Sequence, residues 1–531
     1  MSSTYKFDTT TTPITMYEWD DGVWKPESLS LNESLTLNGD GTITLLKTHD
    51  TYNELKNFAV NPSDSGVYLK VSETYTLPDG TPVASEPEDG EEVEDEFEDD
   101  LDGDGSDDDH VDGSDDDDLE HGGSGDDDLD GGAGDDDIYG DDGDDDLNGG
   151  EGDDVLVGGT GYDVLLGGSG NDDIDGEEDD DVLEGDDGSD DLDGGDGDDS
   201  LEGGDGSDRL TGGSGDDDLY AGAGDDTVNG GLGDDLIIGG SGAGNDTYIG
   251  DAGIDTVKYT SATAGILVNL SGGIAKSMSV DAGIGFDKLA SIENIIGGDF
   301  DDTLIGSALA NQLEGGKGND TVNGGAGNDL IIDGEGSGND QYIGGGGIDT
   351  VSYTAATAGI TITLMAGTAR STSLDAGMGT DKLAAIENVI GGDFDDMLTG
   401  SALGNQLDGG NGNDTLVGGL GKDMLTGGLG SDTFKFSKVI ESGLAVKRDV
   451  ITDFDSAGGD KIDLSAIDAK YGASVNDAFT FLSEPVTLLN ANGALWFRDG
   501  VLYGSTDKDI GAEFQIELTG ITSLTAEDIV L

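Results

Sequence analysis

Between Gly122 and Ile238 an aspartate recurs at every ninth residue, and carboxylates at that spacing are the side chains in this 531-residue chain best arranged to do chemistry. Asp127, Asp136, Asp145, Asp154, Asp163, Asp172, Asp181, Asp190, Asp199, Asp208, Asp217, Asp226 and Asp235 each hold the sixth place of a nine-residue phrase. Its first three copies read GGSGDDDLD, GGAGDDDIY and GDDGDDDLN. The eighth place is always aliphatic, from Leu129 to Ile237, and the fourth is Gly except at Asp179. Later copies add Asp246, Asp255, Asp302, Asp320, Asp329, Asp340, Asp349, Asp396, Asp414, Asp423 and Asp432, while Asn311 and Asn405 replace Asp in two. Oxygen ligands in such number point to a hard divalent cation held by Asp carboxylates and turn carbonyls. An adaptable oxygen cage favours Ca²⁺ over Mg²⁺, which dehydrates reluctantly, and over Zn²⁺, which prefers nitrogen and sulfur.

The phrase also dictates the elements that must position these carboxylates. Its Gly-rich first six residues suit a turn through φ > 0, where a Cβ would clash. The last three, one apolar residue between two mostly polar ones, have the alternation of a very short strand. Turn plus strand, stacked, gives a solenoid with two strands per coil, in which repeat i lies above repeat i+2 at about 4.8 Å. Such stacking places like charges next to each other, at a cost of about 3 to 4 kcal/mol per neighbour at a protein surface. One buried Leu or Ile per repeat returns about 1.5 to 3 kcal/mol. Ordering nine residues costs on the order of 9 to 18 kcal/mol. The expectation is a chain that is unfolded without metal and folded with many bound Ca²⁺ ions.

The phrase G-G-x-G-x-D-x-U-x, with U a large apolar residue, resembles the RTX calcium-binding repeat, whose fold is a parallel β-roll. The resemblance runs with interruptions from about Gly122 to Lys435 and implies calcium sites between alternate repeats. The copy at Gly176 to Glu184, GEEDDDVLE, lacks Gly at the fourth place and is expected to form a weaker or distorted site. Farther on, GSDTFKFSKVIESG, RDVITDFDSAGGDKIDLSAID and the ending LTAEDIVL resemble the C-terminal region of serralysin-type proteases and related RTX exoproteins. That resemblance implies a folding cap, a type I exporter as partner and an uncleaved export signal near Leu531. Asp449, Asp453 and Asp460 are either further calcium ligands or surface and capping residues.

Charge narrows the classes of partner. There are 119 Asp plus Glu against 21 Lys plus Arg, for a formal charge of −98, and the stretch between Lys70 and Arg209 has no Lys or Arg. Such a field repels nucleic acid and anionic membranes. No run approaches the roughly 20 apolar residues of a transmembrane segment, and the first residues lack the basic and apolar regions of a secretory signal peptide. With no Cys, metal is the remaining staple for an extracellular chain. Cytoplasmic Ca²⁺ is too scarce for sites in the extracellular range of about 10⁻⁴ to 10⁻³ M, so the family resemblance implies an extracellular, secreted protein.

The fold expected is all-β: a parallel β-roll (β-solenoid) of calcium-binding nonapeptide repeats with a C-terminal β-rich cap. Residues 1–85 read as a small β-rich domain, with alternation in SLSLNESLTLNGDGTITLL and a hairpin turn at Leu77 to Thr81; residues 86–121 read as an acidic linker or degenerate repeats. The roll is expected at 122–258, 297–353 and 391–435, and the cap and secretion-signal region at 436–531. Between the roll segments, residues 259–296 and 354–390 read as β insertions packed on the solenoid. They belong to a duplication with a 94-residue period, GNDTYIGDAGIDTVKYTSATAGILVNL from Gly244 recurring as GNDQYIGGGGIDTVSYTAATAGITITL from Gly338.

No enzyme is expected. His49, His110 and His121 are the only histidines and do not fit H-E-x-x-H, and no G-x-S-x-G elbow is present. The reading is a calcium-binding protein with a structural, adhesion, surface-layer or biofilm role, with cell-surface polysaccharide or matrix as a further partner. The alternatives are an exported effector whose N-terminal domain binds a target, and an accessory module of an extracellular polysaccharide-acting enzyme.

Overall fold

The computed structural model describes residues 118–531, apart from 240–243, 280–282, 335, 337, 372–378, 471–476 and 484–485; before residue 118 it describes the backbone of a set of strands and Gly113. The chain divides into two compact units, Met1–Phe97 and Glu98–Leu531. In the first, antiparallel strands pair along a single sheet. Glu33–Leu37 pairs with Ile43–Thr48, where the sequence alternates, and Asn53–Val60 pairs with Val67–Thr76. The turn expected at 77–81 lies outside the described residues, but Val67–Thr76 and Pro82–Val83 on either side of it pair antiparallel.

The second unit is a parallel β-solenoid. Successive repeats feed strands alternately into two sheets: Asp128–Ala133 pairs in register with Asp146–Glu151, and Asp137–Asp142 with Val155–Thr160. Partners are therefore eighteen residues apart, as in Leu129 with Leu147 and Ile138 with Leu156. The eighth-place side chains of both sheets meet in one core; Leu129, Ile138, Leu156 and Leu165 are fully buried. The stack begins before Gly122. Asp100–Asp102 pairs with Leu119–Ser124 at an interval of nineteen, and His110–Ser114 with Asp128–Ala133 at the eighteen of the repeats, so strands of the acidic stretch extend both sheets.

Glycine sets the turn at the second and fourth places, as at Gly132 (φ 94°) and Gly134 (φ 146°). In the aberrant copy Glu177 (φ 73°) and Asp179 (φ 81°) adopt the left-handed backbone that glycine supplies elsewhere. The coil keeps its geometry and bears local strain of the order of 1 to 2 kcal/mol per residue. The strand register is kept through this copy, and the departure from the repeat is carried by the backbone.

The two inserted segments do not pack on the solenoid; each is threaded into one of its sheets. Ile266–Asn269 and Ile274–Ser277 form an antiparallel hairpin, and the second of these also pairs antiparallel with Phe286–Ala290. Phe286–Ala290 continues the parallel stack from Thr247–Ala252, and Ile266–Asn269 hands it on to Thr303–Ile305. The cause is burial: Ile266 and Val268 point into the shared core and are fully buried. The second copy repeats the arrangement with Ile360–Thr363, Thr368–Ser371 and Thr380–Ala384. At the far end, Asp449–Ile451 pairs with Met424–Thr426 on one side and with Phe514–Leu518 of the cap on the other.

Candidate metal centre

The sixth-place aspartates form a buried ladder. In each coil the backbone N–H donates to a carboxylate oxygen of the coil two repeats on: Asp127 to Asp145 Oδ1 (2.8 Å), Asp145 to Asp163 Oδ1 (2.8 Å), Asp163 to Asp181 Oδ1 (2.8 Å). Asp136 donates likewise to Asp154, and the second string runs on through Asp172, Asp190, Asp208 and Asp226. Asp199, Asp217 and Asp235 continue the first. Asp118 already belongs to the ladder, its N–H donating to Asp136 Oδ1.

Only one oxygen of each carboxylate is used this way. From Asp145 to Asp235, and again at Asp255, Asp320, Asp329, Asp349, Asp414, Asp423 and Asp432, Oδ2 is buried and accepts no hydrogen bond. A buried, donorless carboxylate oxygen is costly unless a cation or a proton satisfies it. Burial, followed by the charges of neighbouring aspartates, pushes Asp145, Asp154, Asp190 and Asp217 up to about 7 and Asp181 to about 8. The free oxygens also have company. A Cβ built on Gly185 would lie 2.5 Å from Asp190 Oδ2 and 2.7 Å from the carbonyl oxygen of Gly203 in the coil two repeats on, and one on Gly203 would meet Asp208 Oδ2 at 2.7 Å and Ala221 O at 2.8 Å. Carboxylate and carbonyl oxygens thus converge on a cradle that only glycine leaves open. This all-oxygen donor set, with mixed carboxylate and carbonyl ligands, fits Ca²⁺.

Four sixth-place residues have other partners. Asp302 accepts from Ile266 N at Oδ1 (2.9 Å) and from Gly298 N at Oδ2 (2.8 Å), and Asp396 accepts from Ile360 N and Gly392 N in the same manner. Asp246 Oδ2 accepts from the Tyr248 hydroxyl, and Asp340 lies in a buried group with Asp333 and Asp381. Asn311 and Asn405 tie back to the preceding coil, each Nδ2 donating to a glutamate backbone carbonyl, Glu293 O or Glu387 O, at 2.6 Å.

The ladder also recruits residues outside the nonapeptide pattern. Asp246 N donates to Asp287 Oδ1 and Asp340 N to Asp381 Oδ1, so each insertion supplies a rung. Asp255 and Asp349 donate to Glu293 and Glu387. In the cap, Asp423 N donates to Asp449 Oδ1, and Asp449 Oδ2 is buried without a donor. Asp432 N donates to Asp460, whose other oxygen accepts from Asp455 N, and both oxygens of Asp453 accept from the Gly427 and Gly428 amides. A second ladder runs in the opposite sense on the outer side, where the fifth-place side chain accepts from the fifth-place N–H two repeats on: Asp153 from Asn171, Asp180 from Asp198, Asp216 from Asp234. Its signal is in the sequence, since the fifth place is Asp, Asn or Ser in every copy from Asp126 to Asp234 except at Tyr162.

Comparison with known proteins agrees with this geometry. The family model of the RTX calcium-binding nonapeptide repeat (4 copies) matches residues 121–156, 148–183, 184–219, 211–243, 220–257 and 296–331. The model of the peptidase M10 serralysin C terminal matches residues 341–531. Neither is a catalytic domain. No curated protein matches the chain. Among solved structures, the extracellular lipase LipA from Serratia marcescens is similar at 21% identity over 43% of this chain, with a TM-score of 0.16; the chain spans 40% of that one. Nonapeptide coils, a ladder of buried acidic oxygens and both family models converge: the chain carries RTX, hemolysin-type calcium-binding repeats followed by a serralysin-type C-terminal region.

Proposed function

We propose that this secreted calcium-binding protein serves as a structural element outside the cell, in adhesion, a surface layer or a biofilm matrix, rather than as a catalyst. The observation that carries the reading is the run of buried Oδ2 atoms without donors from Asp145 to Asp235. Calcium, when bound, supplies the countercharge these oxygens require. The chain's own residues do the rest. First-place glycines keep the cradles open, Oδ1 atoms tie each coil to its neighbour, and the fully buried eighth-place residues align the coils. Ligands in this reading are the sixth-place aspartates with an unsatisfied oxygen, together with Asp127 and Asp136 in the same ladder. Asp246, Asp302 and Asp396 act as hydrogen-bonded joints, and Asp340 joins Asp333 and Asp381 in a further cluster of buried carboxylates able to hold a cation. A chain that leaves the cell as an unfolded polyanion would gain a stiff, acidic rod on meeting millimolar Ca²⁺.

Circular dichroism and small-angle scattering test this. In EGTA the β signal and compact dimensions should be lost, and millimolar Ca²⁺ should restore both; dimensions equally compact in both buffers refute it. Deleting residues 1–85 tests the role, since a structural function keeps surface association while an effector loses its target.

A further inference from the structure

The solvent side of the cap's last sheet carries aromatic residues that its core does not use. Strands Ala494–Arg498, Val501–Ser505 and Phe514–Leu518 lie antiparallel, and Leu495, Leu502, Phe514, Ile516 and Leu518 are buried. On the outer face Trp496 pairs with Tyr503 and Tyr503 with Gln515, so one row crosses three strands. The two rings are parallel within 6°, with centroids 5.3 Å apart, and the Arg498 guanidinium lies 5.9 Å from the Tyr503 ring centre. They line a groove of about 550 Å³ walled by Leu482, Val486 and Ile510.

The chemistry of this groove selects its occupant. Half-buried indole and phenol rings gain from contact with apolar C–H surface, while Gln515, Arg498 and Ser483 offer hydrogen bonds beside them. Gln515 Oε1 accepts from Ala445 N and Arg448 Nη1, leaving its NH₂ for a ligand. Both nearby arginines are charge-matched, Arg448 by Glu517 (2.8 Å) and Arg498 by Asp499 (3.3 Å). No surplus cation remains among the lining residues to hold a polyanion, which the chain's charge of −98 repels. An uncharged ligand with C–H faces and hydroxyl edges satisfies each group. We propose that the groove binds a neutral pyranose polysaccharide, a sugar ring stacking on the face of Trp496 that Tyr503 leaves uncovered while Gln515 and Arg498 hydrogen-bond its hydroxyls. The site is separate from the calcium ladder, so failure here leaves the calcium reading intact.

Affinity electrophoresis of the full chain in millimolar Ca²⁺ tests it, using gels containing dextran or laminarin as neutral glucans and alginate as a polyanion. At least one neutral glucan should retard the protein. Trp496→Ala should weaken retardation about tenfold or more, and Trp496→Phe should keep most of it. Leu489→Ala, at a side chain 99% exposed and outside the groove, should change nothing. Ser483→Trp fills the groove from its rim and should abolish binding even if Trp496→Ala misfolds. Retardation by alginate alone, by neither glucan, or unaltered by the blocked variants overturns the proposal.

Discussion

Replacing Gly185 with alanine puts the cradle itself to the test. The backbone there is not left-handed, so the substitution adds no φ strain, but its Cβ would lie 2.5 Å from Asp190 Oδ2 and 2.7 Å from Gly203 O. Ordinary contact begins near 3.4 Å, so the carboxylate must retreat by about 0.9 Å and the carbonyl by about 0.7 Å. Ca²⁺–oxygen distances span only about 2.3 to 2.6 Å, so neither atom could stay in a coordination shell after such a shift. One site should disappear. At free Ca²⁺ a hundredfold above the dissociation constant, that removes about 2.7 kcal/mol of metal-linked stability. Gly391→Ala is the control: its Cβ also crowds a carboxylate, Asp396, but that oxygen already accepts from Gly392 N. Titration calorimetry should count one calcium fewer for Gly185→Ala and an unchanged number for Gly391→Ala. A full calcium count in Gly185→Ala refutes the cradle.

Asp217→Asn should lower the calcium count and raise the Ca²⁺ midpoint of folding, whereas Asp302→Asn, at a side chain satisfied by two backbone amides, should leave the count unchanged by calorimetry. Acid should partly replace calcium. The folded-state pKa of Asp145, Asp154 and Asp190 is pushed up to about 7, above an unfolded value near 3.9, so protonation favours the fold. That stabilisation is complete below about pH 4 and lost as pH rises through 7. Far-UV circular dichroism of metal-free protein should show β structure growing between pH 7 and 4, and a pH-independent spectrum would contradict it. Glu177→Gly, which relieves a left-handed backbone, should raise thermal stability in Ca²⁺ by about 1 kcal/mol.

The roll was legible in the sequence because its determinants are local. A buried residue at the eighth place and a carboxylate at the sixth, repeated every nine residues, force two strands per coil and a ladder of Asp side chains. The joints were not legible, because their partners come from afar: the donor to Asp302 Oδ1 is Ile266, thirty-six residues earlier. A local clue existed in GGDFDD, where Phe300 and Phe394 stand in place of the fourth-place glycine. The inserted hairpins alternate as expected of strands, but alternation alone does not distinguish a hairpin lying on a sheet from one threaded into it. Burial of Ile266 and Val268 in the common core decides that. Asp449 escaped the nonapeptide pattern because the cap delivers it twenty-six residues after Asp423 rather than eighteen.

Pairing at an interval of eighteen makes a single repeat half a revolution. Excising nine residues from the middle of the first array would therefore swing everything downstream to the opposite side, whereas excising eighteen would shorten the rod by about 4.8 Å and preserve its facing. Length and bearing are thus independently adjustable by counting residues, a property suited to a protein ruler.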